Sequence, residues 1–167
     1  MSRPVAIVVD VARLRAVTDA SDGSVLEMPW DPTVPADALT RLRDMFGAPS
    51  AVLLIVGVGF LEIARPELPP LASDARHALL MRDADRYFPT SVQAAAAWSD
   101  GLAFAMPALT LDSWVRAFSE LGPIDGVITI PEACAEAFDD CVVATDGGHG
   151  EMPRLKCTAE PFARCGG

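Results

Sequence analysis

Residues 52–89 constrain the possible fold more than any other part of this sequence. They contain, in order, an apolar run, a glycine turn, a second extended run and a proline corner: 52–56, Gly57-Val58-Gly59, 60–65 and Leu68-Pro69-Pro70. A helical pattern follows over residues 73–87, and Pro89 ends it because proline disfavours helical geometry at the residue before it. This order predicts a buried strand that turns sharply into a second strand and then into a helix.

The N-terminal part of the chain predicts three strands and one helix. The strand patterns are a β-branched run, an alternating run and a short run after a Ser-Asp-Gly turn: 5–9, 13–18 and 25–28. For the helix, Thr33 is a candidate N-cap, Pro35 lies in the first turn and Gly47 is placed to end it. The predicted apolar face of this helix comprises Ala38, Leu39, Leu42, Met45 and Phe46.

The later part of the chain predicts a hairpin, two helices and a strand between the helices. In order, these elements are 94–98 paired with 102–106, a helix over 110–121, a strand over 126–130 and a short helix over 131–138. Ser99-Asp100-Gly101 favours the hairpin turn, Thr110 can cap the first helix and Gly122-Pro123 can stop it. The apolar face of that first helix comprises Leu111, Trp114, Val115, Phe118 and Leu121.

The Leu68-Pro69-Pro70 corner, the helix after it and the Tyr87-Phe88-Pro89 end resemble one segment of a known family. It is the family of actin-like cytoplasmic proteins of type IV pilus and type II secretion machines, PilM and GspL. The resemblance covers roughly residues 4–138 and only the first half of such a protein. It implies an α/β protein: half of an actin-like (ribonuclease H-like) fold with an inserted small βαββα subdomain.

This resemblance also implies a division of the chain. Residues 1–58 and 124–150 would form the actin-like core sheet with its helices, and residues 59–123 would form the inserted subdomain. In that subdomain, two helices are expected to cover one face of a small sheet made of strands 60–65, 94–98 and 102–106. Residues 151–167 are expected to be a loosely ordered tail, because apolar residues are too sparse there to offset the entropy of ordering.

The family resemblance defines two nucleotide-site turns, and both are degenerate here. Nucleotide binders of this fold place an Asp-x-Gly turn after the first strand, because glycine lets backbone amides approach a phosphate closely. Here Asp10 is present, but the residues that follow it are Val-Ala-Arg-Leu. The second turn corresponds to Asp146-Gly147-Gly148. We expect Asp10, Asp146, Gly147 and Gly148 to be unused as a nucleotide site, with neither ATP nor a metal bound.

Other candidate motifs are weak. Gly57-Val58-Gly59 lacks the third glycine of a dinucleotide site and the Gly-Lys-Ser/Thr of a P-loop, which favours a plain turn. A zinc or thiol site has enough ligands in Cys134, Cys141, Cys157, Cys165 and His149, but there is no Cys-x-x-Cys pair. Surface charge pairs explain Asp83 and Asp85 beside Arg82 and Arg86. We expect His77 to be solvated and Trp30, Trp98 and Trp114 to pack in the core, although Trp98 could also line a partner groove.

Composition excludes several classes of function. Thirteen basic and 23 acidic residues give a net charge of −10, which argues against nucleic acid or an anionic membrane surface as the main partner. The longest apolar run is interrupted by glycines and is shorter than the ~20 residues that cross a bilayer. The apolar segment after Arg3 is too short for a secretory signal. We therefore expect a cytoplasmic protein at the inner face of the membrane.

The resemblance, together with the degenerate nucleotide turns, implies a non-catalytic scaffold of a type IV pilus or type II secretion inner-membrane assembly platform. The resemblance implies that it docks a membrane subunit segment or the motor ATPase in the cleft between core and insert. Two alternatives stay open at this point. One is an ATP-binding actin-like protein, and the other is a zinc- or thiol-dependent module that uses the C-terminal cysteines.

Overall fold

The computed structural model describes residues 3–18, 25–89, 91, 93–99 and 101–130, and these contain eight strands. In chain order the strands are β1 (Val5–Val9), β2 (Arg13–Thr18), β3 (Val25–Pro29), β4 (Val52–Val56), β5 (Glu62–Ala64), β6 (Ala94–Ser99), β7 (Leu102–Pro107) and β8 (Ile124–Thr129). The helices are α1 (Leu39–Phe46), α2 (Ser73–Arg82), α3 (Ala84–Tyr87) and α4 (Ala108–Ser119). Two 3-10 turns, Pro35–Ala38 and Val58–Phe60, precede α1 and β5.

The larger sheet combines an antiparallel meander with two parallel strands, in the order β3-β2-β1-β4-β8. β1 pairs antiparallel with β2 and β2 with β3, whereas β4 runs parallel to both β1 and β8. The chain between β1 and β4 includes α1, and the chain between β4 and β8 includes the whole second sheet and α4. The α/β class expected from the sequence pattern is confirmed.

One face of the larger sheet forms the main core. Because side chains alternate along a strand, the register that pairs Ile7 with Leu54 and Val9 with Val56 places these four side chains on the same face. All four are fully buried. Helix α1 covers this face with Leu39 and Leu42, and α4 adds Leu111, Trp114 and Phe118.

The smaller sheet is antiparallel, in the order β5-β7-β6, and it is built largely from alanine. Its core cluster contains Leu80 of α2 and Phe88, together with Ala84, Ala94, Ala96, Ala103 and Ala105. Leu68, from the proline corner, packs against this cluster. Small side chains let α2 lie close to the strands, so a few large residues fill most of the space.

Several predicted element boundaries were wrong. The helix expected over 73–87 is two helices, α2 and α3, interrupted at Asp83. The strand expected over 60–65 begins only at Glu62, because Val58–Phe60 forms a 3-10 turn. Thr33 caps no helix; it donates through both its amide and its hydroxyl to Asp31 Oδ1, at 2.8 and 2.6 Å. Helix α4 begins at Ala108, so Thr110 lies inside it.

Helix α4 packs differently from the expectation for residues 59–123. Its buried side chains Trp114 and Phe118 belong to the core cluster of the larger sheet, and Met106 of β7 reaches the same cluster. The helix therefore joins the two sheets, whereas the sequence pattern grouped it with the inserted subdomain. The division of the chain at 1–58 with 124–150, 59–123 and 151–167 itself stays a prediction.

Two sequence predictions lie outside the described residues. They are the short helix over 131–138 and the loosely ordered tail over 151–167.

Candidate functional site

Asp10 lies where the parallel strands of the larger sheet end. Its amide donates to the Arg13 carbonyl over 2.9 Å, which closes the hairpin between β1 and β2. The Gly57 amide donates to the Val9 carbonyl over 2.7 Å, so the segment after β4 lies directly beside this turn. Ligands of open α/β sheets bind at the carboxyl ends of strands, which makes this edge the first place to look for a site.

Two glycines allow the segment after β4 to approach the Asp10 turn closely. A Cβ on Gly57 would lie 2.6 Å from the Val9 carbonyl oxygen, and a Cβ on Gly59 would lie 2.4 Å from Val11 Cγ2. The backbone oxygen cannot move aside easily, so Gly57 is required by packing against the turn. At Gly59, an added methyl group would force the Val11 side chain to move. The sequence pattern identified the glycine pair as a turn but gave no sign of Val11 as its contact.

At this edge, the backbone amide that follows Asp10 is not available to a nucleotide phosphate. A phosphate site needs unpaired backbone amides that point at the anion. Here the Val11 amide already donates to Asp10 Oδ1 over 2.8 Å. The Asp10 and Ala12 carbonyls accept from the indole and backbone N–H groups of Trp30. The other predicted nucleotide-site residues, Asp146, Gly147 and Gly148, lie outside the described residues.

A metal site finds equally little support in the part of the chain that the structure describes. Within it, no three His, Cys, Asp or Glu residues lie close enough together to hold an ion. The candidate zinc ligands Cys134, Cys141, Cys157, Cys165 and His149 lie outside it.

Four aromatic rings meet between the two sheets, and we call them the aromatic junction: Trp30, Phe60, Trp114 and Phe118. The Trp114 ring centroid lies 4.7 Å from that of Phe60 and 5.4 Å from that of Trp30, both in edge-to-face geometry. Trp114 and Phe118 are fully buried, whereas Trp30 and Phe60 are half-buried. Edge-to-face pairs contribute about 0.5–1.5 kcal/mol each beyond their buried area, so the junction stabilises the packing of α4 against the residues that follow β3 and precede β5.

Each tryptophan of the aromatic junction donates to a segment that exposes a valine. Trp30 Nε1 donates to the Asp10 carbonyl, and the next residue, Val11, is 54% exposed. Trp114 Nε1 donates to the Pro32 carbonyl over 2.9 Å, and Val34, two residues further on, is 44% exposed. Val11 and Val34, which we call the apolar rim of the junction, therefore expose apolar surface next to backbone segments that the two indoles hold in place.

The remaining candidate residues play local roles. Arg82 Nε donates to Asp83 Oδ1 over 2.9 Å, and this hydrogen bond holds the pKa of the Asp83 carboxyl below its ordinary value. The Arg76 guanidinium stacks over the Trp98 ring, 5.1 Å from its centroid. The expectation that His77 is solvated was wrong. It is half-buried, and its Nε2 is enclosed without a hydrogen-bond partner among the described residues.

Comparisons with known proteins support the fold. No family model matches the sequence, and no curated protein matches it. Among solved structures, a chain of the PilM–PilN type IV pilus biogenesis complex superposes on 84% of this chain with a TM-score of 0.61 and 12% identity. The cytoplasmic domain of EpsL from Vibrio cholerae, an inner-membrane component of the type II secretion system, matches 87% of the chain with 12% identity and a TM-score of 0.49.

A protein of unknown function from Bacteroides thetaiotaomicron, described as having an actin-like ATPase fold, matches 83% of the chain with 9% identity and a TM-score of 0.47. The chain spans between 53% and 61% of the lengths of these three solved chains. The superposition on the chain of the PilM–PilN complex confirms, at the level of the fold, the resemblance drawn from the Leu-Pro-Pro corner.

The structure also bears on membrane insertion. Within the described residues, no helix has the length and apolar character needed to cross a bilayer.

Proposed function

We propose that this chain is a non-catalytic scaffold of a type IV pilus or type II secretion assembly platform. In this proposal it works in the cytoplasm at the inner membrane and docks a short cytoplasmic segment of a membrane subunit. The observation that carries the proposal is the superposition on a chain of the PilM–PilN complex, which extends over 84% of this chain. That complex unites two pilus biogenesis proteins.

The apolar rim of the aromatic junction is the docking surface we favour. Val11 and Val34 expose apolar surface there, beside the two backbone segments that accept hydrogen bonds from the Trp30 and Trp114 indoles. A surface that is rigid before binding loses little entropy when a partner binds. Large half-buried aromatic residues such as Trp30 are also typical of binding hot spots.

Charge favours a basic partner. The chain carries a net charge of −10, and the cytoplasmic segments that flank membrane helices are enriched in Lys and Arg. Such a segment would be drawn towards the acidic chain over a range of about 10 Å at ~0.1 M salt. The motor ATPase is the other partner that the resemblance implies, and the same experiment can include it.

The proposal can be tested in the organism that encodes the chain. Cells carrying a tagged copy are fractionated with and without the inner-membrane subunits of the pilus or secretion machine. We expect the chain to sediment with membranes only when those subunits are present. Deletion of the gene for the chain should abolish the assembled machine. Membrane association that persists without the subunits, or normal assembly without the chain, would overturn the proposal.

Two matched variants locate the surface. Val34→Asp places a charge on the rim of the aromatic junction. Val25→Asp makes the same change at a valine that is 59% exposed at the opposite end of the larger sheet, where β3 pairs with Val17. We expect only Val34→Asp to release the chain from membranes. Release by both variants to the same extent would show that the junction is not the docking site.

A further inference from the structure

We propose that the turn after β1 is an apolar latch that occupies the place a nucleotide phosphate would need. The latch consists of the Val11 side chain lying on Gly59, with the Asp10 carboxylate beside it. It fastens the first hairpin of the larger sheet to the segment that leads into the smaller sheet.

The contact between Val11 and Gly59 is the first argument. Val11 Cγ2 lies 2.4 Å from the position a Cβ on Gly59 would take, so this methyl group occupies the space above the glycine. Gly59 begins neither a strand nor a helix, and its φ is not in the left-handed region. The need for glycine here therefore comes from its neighbour and not from its backbone conformation.

The conformation of the turn is the second argument. Two-residue hairpin loops favour positive φ angles, and hence Asn and Gly. Gln93 is the one non-glycine residue with a positive φ in the described part of the chain, so Val11 and Ala12 both have negative φ. Hydrogen bonds from outside the loop therefore stabilise this turn. The Asp10 carboxylate accepts a hydrogen bond from the Val11 amide, and Trp30 donates to the Asp10 and Ala12 carbonyls.

The orientation of Asp10 is the third argument. Its Oδ1 lies 3.1 Å from the Cβ position of Gly57 and 3.4 Å from that of Gly59, so the carboxylate faces the glycine turn. An anion that entered this space would meet the Asp10 carboxylate and a methyl group of Val11. Repulsion between like charges and the burial of an apolar group would both oppose phosphate binding.

A double-mutant cycle tests the latch. Gly59→Ala should clash with Val11 and lower the melting temperature of the chain by roughly 3–10 °C, as overpacked sites do. Val11→Ala should change it by less than about 2 °C because the side chain is half-exposed. In the double variant, removal of the Val11 methyl groups should bring the melting temperature most of the way back to that of the unaltered chain. If Gly59→Ala does not fold, recovery of folded protein in the double variant gives the same answer.

Gly126 provides the matched control. A Cβ there would meet only Leu53 Cδ1, at 3.4 Å, which is an ordinary contact with the end of a flexible side chain. Gly126→Ala combined with Val11→Ala should therefore give additive shifts in melting temperature, within about 1 °C. Additive shifts for the Gly59→Ala and Val11→Ala pair as well would overturn the latch.

Addition of ATP and magnesium supplies an independent readout. A micromolar site would raise the melting temperature by roughly 10 °C at millimolar ATP. We expect a shift below about 1 °C for the unaltered chain. A large shift would overturn the proposal even if the mutational cycle shows coupling. Neither result bears on docking at the aromatic junction, which the membrane-fractionation experiment tests separately.

Discussion

The two sheets of this molecule pack against their helices with different kinds of buried side chain. The larger sheet buries β-branched and long aliphatic residues, such as Ile7, Leu54 and Val56, beneath two helices. The smaller sheet buries mostly alanine around Leu80 and Phe88. A core of small residues brings helix and strand close together but contains little apolar surface. The smaller sheet should therefore be the less stable part. The side chains of the aromatic junction should make the largest contribution to the free energy of unfolding.

The largest effect is expected from Trp114→Ala. This ring contacts Trp30 and Phe60, lies in the core of the larger sheet and donates to the Pro32 carbonyl. Its removal should lower the free energy of unfolding by about 4–5 kcal/mol, measured by denaturant titration. Leu109→Ala, on the same helix at a position that is 73% exposed, is the control and should change it by less than about 0.5 kcal/mol. A loss below ~2 kcal/mol for Trp114→Ala would show that the aromatic junction is not the largest contributor to the stability of the chain.

Phe88→Ala should come next, and its effect should be local. Phe88 is fully buried and is one of two large side chains in the cluster of the smaller sheet. We expect a loss of about 3–4 kcal/mol. Hydrogen exchange should accelerate in β5, β6 and β7 while amides of β1 and β4 stay protected. Equal acceleration in both sheets would show that they unfold as one unit and that the contrast between them is wrong.

Ala103→Val probes the close packing of alanine directly. Ala103 is fully buried between β5 and β6, so two added methyl groups should cost about 1–3 kcal/mol. Ala95→Val on β6 adds the same groups at a half-buried position and should cost less than about 1 kcal/mol. If both substitutions lower the free energy of unfolding equally, the core of the smaller sheet is packed less closely than the structure indicates.

The smallest effect should come from the charged outer surface of the β2–β3 hairpin. Hydrogen bonds from Arg13 and Arg15 hold the pKa of Glu27 below its ordinary value of 4.5. A lowered pKa means that this contribution to stability is fully present above about pH 4.5 and is lost as the pH falls through the lowered pKa. Glu27→Gln should therefore lower the melting temperature slightly at pH 7 and not at pH 3. A larger loss at pH 3 than at pH 7 would contradict the assignment.

Much of the fold could be predicted from local patterns. The β-branched runs gave β1 and β4 with their observed bounds, and Gly47, with its φ of 67°, ends α1 as the sequence indicated. What failed depends on contacts far apart in the chain. The packing of α4 on the larger sheet follows from the ring partners of Trp114, which are Phe60 and Trp30, 54 and 84 residues away in the sequence. No local periodicity carries that information.

The site was only partly predictable for a similar reason. The absence of glycine after Asp10 indicated a poor nucleotide turn, and the structure adds the physical obstacle, the Val11 side chain on Gly59. Nothing in the spacing of these two residues suggested a contact. The exposure of the valines beside the aromatic junction could not be predicted either, because exposure depends on the packing of the whole domain.

Direct binding tests the central claim that this chain docks a membrane subunit at the aromatic junction. A synthetic peptide with the basic cytoplasmic segment of the neighbouring inner-membrane subunit is titrated into the chain by calorimetry. We predict saturable binding that Val34→Asp weakens at least about 10-fold and Val25→Asp leaves within about 2-fold. The account would be contradicted by a chain that binds none of the subunit segments, or by equal losses in the two variants.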